Sequence, residues 1–362
     1  MPIIDRYIFK QLAPPFLYGL VIFTFSVMMN RALMLAQMVL NKGISISDIL
    51  KLASLTIPSF MIITLPVSFL LAILVVFGKL TQDNETMALR ASGINIFKLT
   101  KPALLFSLIP LTLSILFSFY LGPRFNFFFR TLAVKDVEKA ALSALKKNSF
   151  TNKLGNTRIF VKYVDRNKST LKGIFILNKI NNTPQTLIAR SGRIVYDNKL
   201  NSLSLFLNNG VIQNQNPGAK DFWSLHFNSY KINIRLKGLS FPQKNGSVHF
   251  MTFSQIAKKY LMEKDRALKN VYLAYLYKKI SIPAATVLFI FIGVPLGMYL
   301  EKRSLFMAIF YTISIIIIYY ILFTSGFYLA LRNALNPVPG VWGADMFLLV
   351  AGALLYWRAS LK

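Results

Sequence analysis

Residues 79–93 read Lys79-Leu80-Thr81-Gln82-Asp83-Asn84-Glu85-Thr86-Met87-Ala88-Leu89-Arg90-Ala91-Ser92-Gly93. They lie between two long apolar runs, near Ala53 to Gly78 and near Pro102 to Gly122. A helix needs about 20 apolar residues to cross a bilayer core, and both runs reach that length. The polar stretch is therefore a connector between spans, and it is longer than a turn requires. Thr81, Asp83 or Asn84 can cap a helix start, and Glu85 suits the positive end of a helix dipole. Met87 to Ala91 favour or tolerate helix, and Gly93 suits the position just past a helix end. The spacing predicts a helix of about two to three turns within 81–93. Ile94, Ile96, Phe97 and Leu99 then return the chain toward the membrane.

Four more runs reach span length, near Pro14 to Leu40, Ile280 to Leu300, Leu305 to Leu331 and Val341 to Trp357. The first is too long for a signal-peptide core and no clear small-x-small cleavage site follows, so a retained helix is expected. Roughly 150 residues without a span-length run separate the third span from the fourth. The expected fold is an α-helical membrane protein with six transmembrane helices, three on each side of an inserted all-β domain. The expected segments are 1–123 with spans one to three, 124–279 with the β domain and flanking helices, and 280–362 with spans four to six.

Composition agrees with a membrane protein. The chain has 362 residues, 54% of them apolar, and its mean hydropathy is positive. Cysteine is absent, which removes disulfides and thiolate chemistry. The formal net charge is +29, so an acidic partner is expected: anionic lipid, acidic glycan or nucleic acid. Orientation separates these. Lys and Arg in short loops mark the cytoplasmic side. Arg6, Lys10, Lys79, Arg90, Lys98, Lys101, Lys302, Arg303, Arg358 and Lys362 stand against Lys42, Lys51 and Arg332. Both termini and residues 79–93 are thus expected in the cytoplasm, and the insert outside. From Arg124 to Lys279 the insert carries a net +21. A nucleic-acid role is disfavoured, which leaves two readings: a solvated basic surface, or an acidic ligand outside the membrane such as a phosphorylated glycolipid.

Five segments of the insert alternate like strands: 157–164, 171–180, 186–196, 203–213 and 222–236. Asn209-Gly210 and Pro217-Gly218 are turn signals. An antiparallel sandwich or jelly roll is expected. Helices are expected over 135–147 and, as one helix or a pair, over 253–277, the latter capped by Thr252 or Ser254.

Enzyme signatures are missing. Gly78-Lys79 lacks the upstream glycine of a phosphate-binding loop, so ATP hydrolysis is assigned elsewhere. His226 and His249 have no ligand spacing, and neither a metal nor a cofactor is expected. Arg31 and Asp345 are the ionisable candidates within spans; an ion-coupled carrier would need more. Arg31 reads equally as a snorkelling residue or as a head-group ligand. The polar connector, with its acidic head and small residues, fits a groove in a soluble partner better than a lipid surface. Three functions remain in play: a permease driven by a separate ATPase, a membrane scaffold with a partner-binding β domain, and an ion-coupled carrier.

Three groups of residues carry a family likeness. They are Asp5-Arg6-Tyr7-Ile8-Phe9-Lys10; Gly78-Lys79-Leu80 with Glu85 and Ala88-Leu89-Arg90-Ala91-Ser92-Gly93; and Lys278-Lys279-Ile280-Ser281-Ile282-Pro283 with Ile292-Gly293-Val294-Pro295-Leu296-Gly297. In this order, with this layout, the chain resembles the lipopolysaccharide export permeases of the LptF/LptG type. The resemblance implies a bacterial inner-membrane subunit of an ATP-binding-cassette transporter, with lipopolysaccharide as substrate. It implies a second related six-span chain, a cytoplasmic ATPase dimer, periplasmic jelly-roll bridge proteins and a single-span accessory subunit as partners, with membrane lipid around them. The helix at 81–93 would be the coupling helix. Asp83, Asn84, Glu85, Ala88, Leu89, Arg90, Ala91, Ser92 and Gly93 would meet the ATPase, and Glu85 would contact a basic residue there. Lipopolysaccharide would enter between spans one and five of the paired chains. Arg31, Lys42, Arg124 and Arg130, chosen by position relative to the spans, would hold its phosphates. The quoted motifs are shared by F-like and G-like chains alike.

Overall fold

A computed structural model describes residues 3–42, 46–132, 149–154, 157–165, 170–180, 183–197, 202–215, 222–234, 248–299 and 305–360. Side chains at the distal end of α1, in β1 and at several strand ends are not among the described parts. The elements are α1 (Ile3–Lys42), α2 (Ile46–Gln82), α3 (Glu85–Ala91) and α4 (Ile96–Leu116), then strands β1 (Ser149–Leu154), β2 (Thr157–Asp165), β3 (Thr170–Ile180), β4 (Thr183–Asp197), β5 (Ser202–Gln215) and β6 (Phe222–Ile234), then α5 (Phe253–Met262), α6 (Arg266–Met298), α7 (Leu305–Leu331) and α8 (Pro337–Ser360). The helical path of α4 continues through a π-helical turn, Phe117–Leu121, to Leu132. Six of these helices are long and apolar enough to cross a membrane. They fall three before the sheet and three after it, as the apolar runs require.

By contacts the chain divides into two units. One comprises Met1–Ala32, Leu55–Phe127 and Val248–Lys362; the other comprises Leu33–Ser54 and Phe128–Ser247.

In the helical unit α2 and α6 form the interior. Leu70, Ile73, Leu74 and Phe77 of α2 are fully buried. Gly293 and Gly297 let α6 lie directly on them: a Cβ at Gly293 would come within 2.9 Å of Ile73 Cγ2, and one at Gly297 within 2.8 Å of Phe77 Cβ. Small residues at helix crossings are how spans pack when no hydrophobic force distinguishes neighbour from lipid. The outward faces of the other spans stay apolar, for example Phe25, Leu108, Ile317 and Leu354, as lipid contact demands. Span hydroxyls bond within the bundle: Ser68 Oγ donates to Thr64 O at 2.6 Å, and Thr100 Oγ1 and Tyr356 OH share a hydrogen at 2.8 Å. The segment 253–277 is a helix pair. Thr252 caps α5 in a box with Gln255, and Asp265 caps α6 by accepting from Ala267 N. α6 then runs without a break through Lys279 and Ile280 into the span.

The insert is antiparallel β, and its strands pair in chain order from β1 to β6. The jelly-roll or sandwich expectation thereby narrows, among the described strands, to a meander. β1 had too weak an alternation to be read from sequence. The helix expected over 135–147 lies outside the described residues. Asn209-Gly210 is not a turn: it lies inside β5, with Asn208 opposite Ser191 and Gly210 opposite Ala189. The pairs Lys162 with Gly173, Gly173 with Arg190, Arg190 with Asn209, and Asn209 with Asn228 are all unbridged, although register is the same on both sides of them. One row across five strands is therefore creased. Gly173 and Asn209, on that row, have φ of 63° and 52°. Gly enters this region freely, and Asn more readily than most residues.

The crease also moves the buried face by one residue. In β3 Leu171 is buried on one side and Ile174 and Ile176 on the other, with Lys172 and Gly173 outward between them. β4 slips between Ala189 and Gly192, and β5 between Leu207 and Ile212. A slip in one strand alone would turn its apolar set to the wrong side. Here the strands slip at the same row, so pairing and core both survive.

Candidate functional site

The polar connector folds as α3, a seven-residue helix between α2 and α4. α2 runs on to Gln82, so Thr81 ends a helix instead of starting one, and its hydroxyl donates back to Phe77 O at 2.9 Å. Asn84 takes the cap position with φ 57° and makes no side-chain cap bond. Of the three expected caps it serves by tolerating a left-handed backbone, not by its side-chain oxygen. Gly93, with φ 77°, closes the helix as read from sequence, its N–H donating to Arg90 O at 2.9 Å.

One face of α3 is held. Thr86 is buried and donates to Thr81 Oγ1 at 3.3 Å. Leu89 and Ile94 pack on a cluster containing Leu80, Ile96 and Leu99. The other face is presented outward: Met87, Ala88, Arg90, Ala91 and Ser92 are exposed, Met87 at 70%. Glu85 is half-buried, and Tyr7 OH donates to its Oε1 at 2.9 Å. This ties the start of α1 to the start of α3. The sequence named Tyr7 only inside a motif, and no local spacing links it to Glu85.

A second polar site lies among α2, the end of the α4 path and α6. It is a cavity of about 150 Å³ lined by Ser59, Ser118, Asn126, Tyr275, Lys278 and Lys279, with apolar neighbours from the same elements. Its construction starts at the π-helical turn. Gly122 N–H bonds back to Phe117 O, and the next residue, Pro123, has no N–H. The carbonyl of Ser118 is thus left without a helical donor. Lys279 Nζ supplies one at 2.7 Å, and Ser118 Oγ donates to Lys279 O at 2.9 Å. Gly122 is required here, because a Cβ would stand 2.8 Å from Phe117 O. Phe119 stacks on Phe253 at 4.3 Å, and Val248 covers the cavity from the segment before α5.

Asp345 is buried to 1% exposure inside the bundle. Ser281 Oγ of α6 donates to its Oδ2, and Tyr319 OH of α7 donates to its Oδ1 at 3.1 Å. The carboxylate therefore joins the last three spans through hydroxyls.

A family profile for the lipopolysaccharide export system permease LptF/LptG matches residues 6–358. The match takes in all six spans, α3 and the sheet. The chain belongs to the LptF/LptG family. Its family is that of lipopolysaccharide export permeases, and six of its described helices are long and apolar enough to cross a membrane. An uncharacterized protein, RP871, of Rickettsia prowazekii (strain Madrid E) is 25% identical over 239 residues, covering 64% of this chain. The chain spans 63% of that relative's length.

In this member of the LptF/LptG family the residues from Asp83 to Gly93 lie on and beside α3. The exposed ones are Asp83, Asn84, Ala88, Arg90, Ala91, Ser92 and Gly93, while Leu89 turns inward. The four lipid candidates are divided between the two units. Arg124 is exposed on the path beyond the π-helical turn, and Arg130 is buried. Arg31 and Lys42 lie on α1, and their side chains are outside the described residues. Arg31 and Arg124 belong to the helical unit, Lys42 and Arg130 to the other. The cavity lysines escaped the sequence reading because Lys278-Lys279 looked like an ordinary basic flank of a span. The available signal was Gly122-Pro123, which leaves a carbonyl in need of a donor.

Proposed function

We propose that this permease is the membrane subunit of an ATP-driven machine. It extracts lipopolysaccharide from the inner membrane and passes it to a periplasmic bridge toward the outer membrane. A separate cytoplasmic ATPase dimer supplies the work, and a second six-span chain completes the path. Lipopolysaccharide enters between spans one and five of the paired chains, and Arg31, Lys42, Arg124 and Arg130 attract its phosphates. Both termini and α3 face the cytoplasm, and the sheet faces the periplasm.

The outward face of α3 carries this reading. A short helix, anchored by Thr86 and Leu89 and showing Met87, Ala88 and Ala91, is a rigid knob. A knob anchored between two spans passes a push from a soluble partner into both. Glu85 stands at its head and is also bonded to Tyr7, so the same push reaches α1. The test is Glu85→Lys in the purified complex. Association with the ATPase is expected to weaken at least about tenfold, ~1.4 kcal/mol, or hydrolysis to continue without lipid release. Normal association together with normal release would remove α3 from the coupling path.

A further inference from the structure

We propose that the cavity between α2, the π-helical turn and α6 is a binding site for a phosphate group, either free inorganic phosphate or the phosphate of a membrane lipid head group. The site is distinct from α3 and does not rest on the transport reading.

Charge is the first ground. Lys278 and Lys279 both line the cavity, and among the described residues no carboxylate does. Among the described residues neither ammonium has a carboxylate within ion-pair distance. Two neighbouring cations in a half-buried cavity repel, and each loses hydration, so an anion between them is strongly favoured.

Donor supply is the second. An ammonium has three N–H donors. Lys279 uses one on Ser118 O, which fixes its head and leaves two for a ligand. Lys278 Nζ lies 4.4 Å from the centre of the Phe327 ring, a contact that holds the charge in place without consuming a hydrogen bond. Ser59 adds an independent sign. Its Oγ is buried on the cavity wall and has no hydrogen-bond partner among the described residues. A buried hydroxyl without a partner calls for a ligand or a water. Asn126 lines the same cavity.

Size selects the ligand. Pockets for whole drug-sized molecules run about 300–1,000 Å³, so a cavity of about 150 Å³ admits one small group. A tetrahedral oxyanion presents acceptors in all directions, which suits donors converging from three elements. The location suits a lipid source as well, because Lys278 and Lys279 stand where the polar start of α6 meets the apolar run from Ile280.

The experiment uses the full chain, delipidated in detergent. Inorganic phosphate is titrated against its thermal unfolding at constant ionic strength set with chloride. In parallel, native mass spectrometry follows retention of phosphatidylglycerol against phosphatidylcholine. A phosphate-dependent rise in melting temperature, or selective retention of phosphatidylglycerol, is expected; the first assigns the free anion and the second the head group. In Ser59→Ala with Lys278→Gln the affinity is expected to fall about tenfold or more, a change of ~1.4 kcal/mol. If that variant does not fold, acetylation of Lys278 and Lys279 in the unaltered chain is measured instead. Saturating phosphate, or phosphatidylglycerol, is expected to slow it several-fold. Neither ligand acting in the unaltered chain, or both acting equally on the variant, or unslowed acetylation, overturns the proposal.

Discussion

At the residue scale, single side chains in this protein join elements far apart in the chain. Glu85 receives Tyr7 from 78 positions away. Asp345 receives Ser281 and Tyr319 and so closes three spans on one carboxylate. Asparagine keeps an acceptor at that point, and alanine keeps none. Asp345→Ala takes the shared acceptor from two buried hydroxyls, a loss of about 1–3 kcal/mol for each. Its melting temperature in detergent is expected to fall clearly below that of Asp345→Asn. If the two variants melt together, the negative charge itself, and not the pair of hydrogen bonds, is what the site requires. Asp345 and Glu85 were both visible as residue types in the sequence. Their partners were not, because a hydrogen bond across spans leaves no periodic trace.

At the element scale, glycines set how close the helices come. Gly326 of α7 faces Gly340 of α8, and a Cβ at Gly326 would stand 2.1 Å from Gly340 O. Backbone cannot yield as a flexible side-chain tip can. Gly326→Ala is therefore expected to push the two spans apart and to destabilise the bundle by about 1–3 kcal/mol. Gly343 of α8 has nothing within 4 Å of its Cβ position and is the control, expected to accept alanine. Thermal unfolding of the two variants side by side checks the assignment. The spans themselves were legible from runs of apolar residues, as were helix over 253–277 and five of the six described strands. Asn209-Gly210 misled because the same backbone freedom that makes a turn also makes a crease, and local sequence does not separate the two.

At the scale of the whole molecule, the proposed transport path joins the spans to basic residues near their ends. Arg31→Glu reverses a charge on α1. Photocrosslinking of lipopolysaccharide to the assembled complex is expected to drop several-fold, while co-purification of the ATPase and the second six-span chain stays unchanged. Equal crosslinking would return Arg31 to a snorkelling role. Co-purification from mild detergent also tests the partner set directly.

The sequence by itself determined the six spans, the β insert, the helix at the connector and the family. These rest on hydrophobic periodicity, length and turn chemistry, all of which act between near neighbours along the chain. Only the tertiary structure decided which face of α3 is offered, where Glu85 and Asp345 find their partners, and that Ser59 and two lysines surround one cavity. Those facts depend on three or more distant segments meeting in space. A further example is the crease through Gly173 and Asn209. Each strand alone shows an irregular alternation, and only their alignment makes the irregularities a single row.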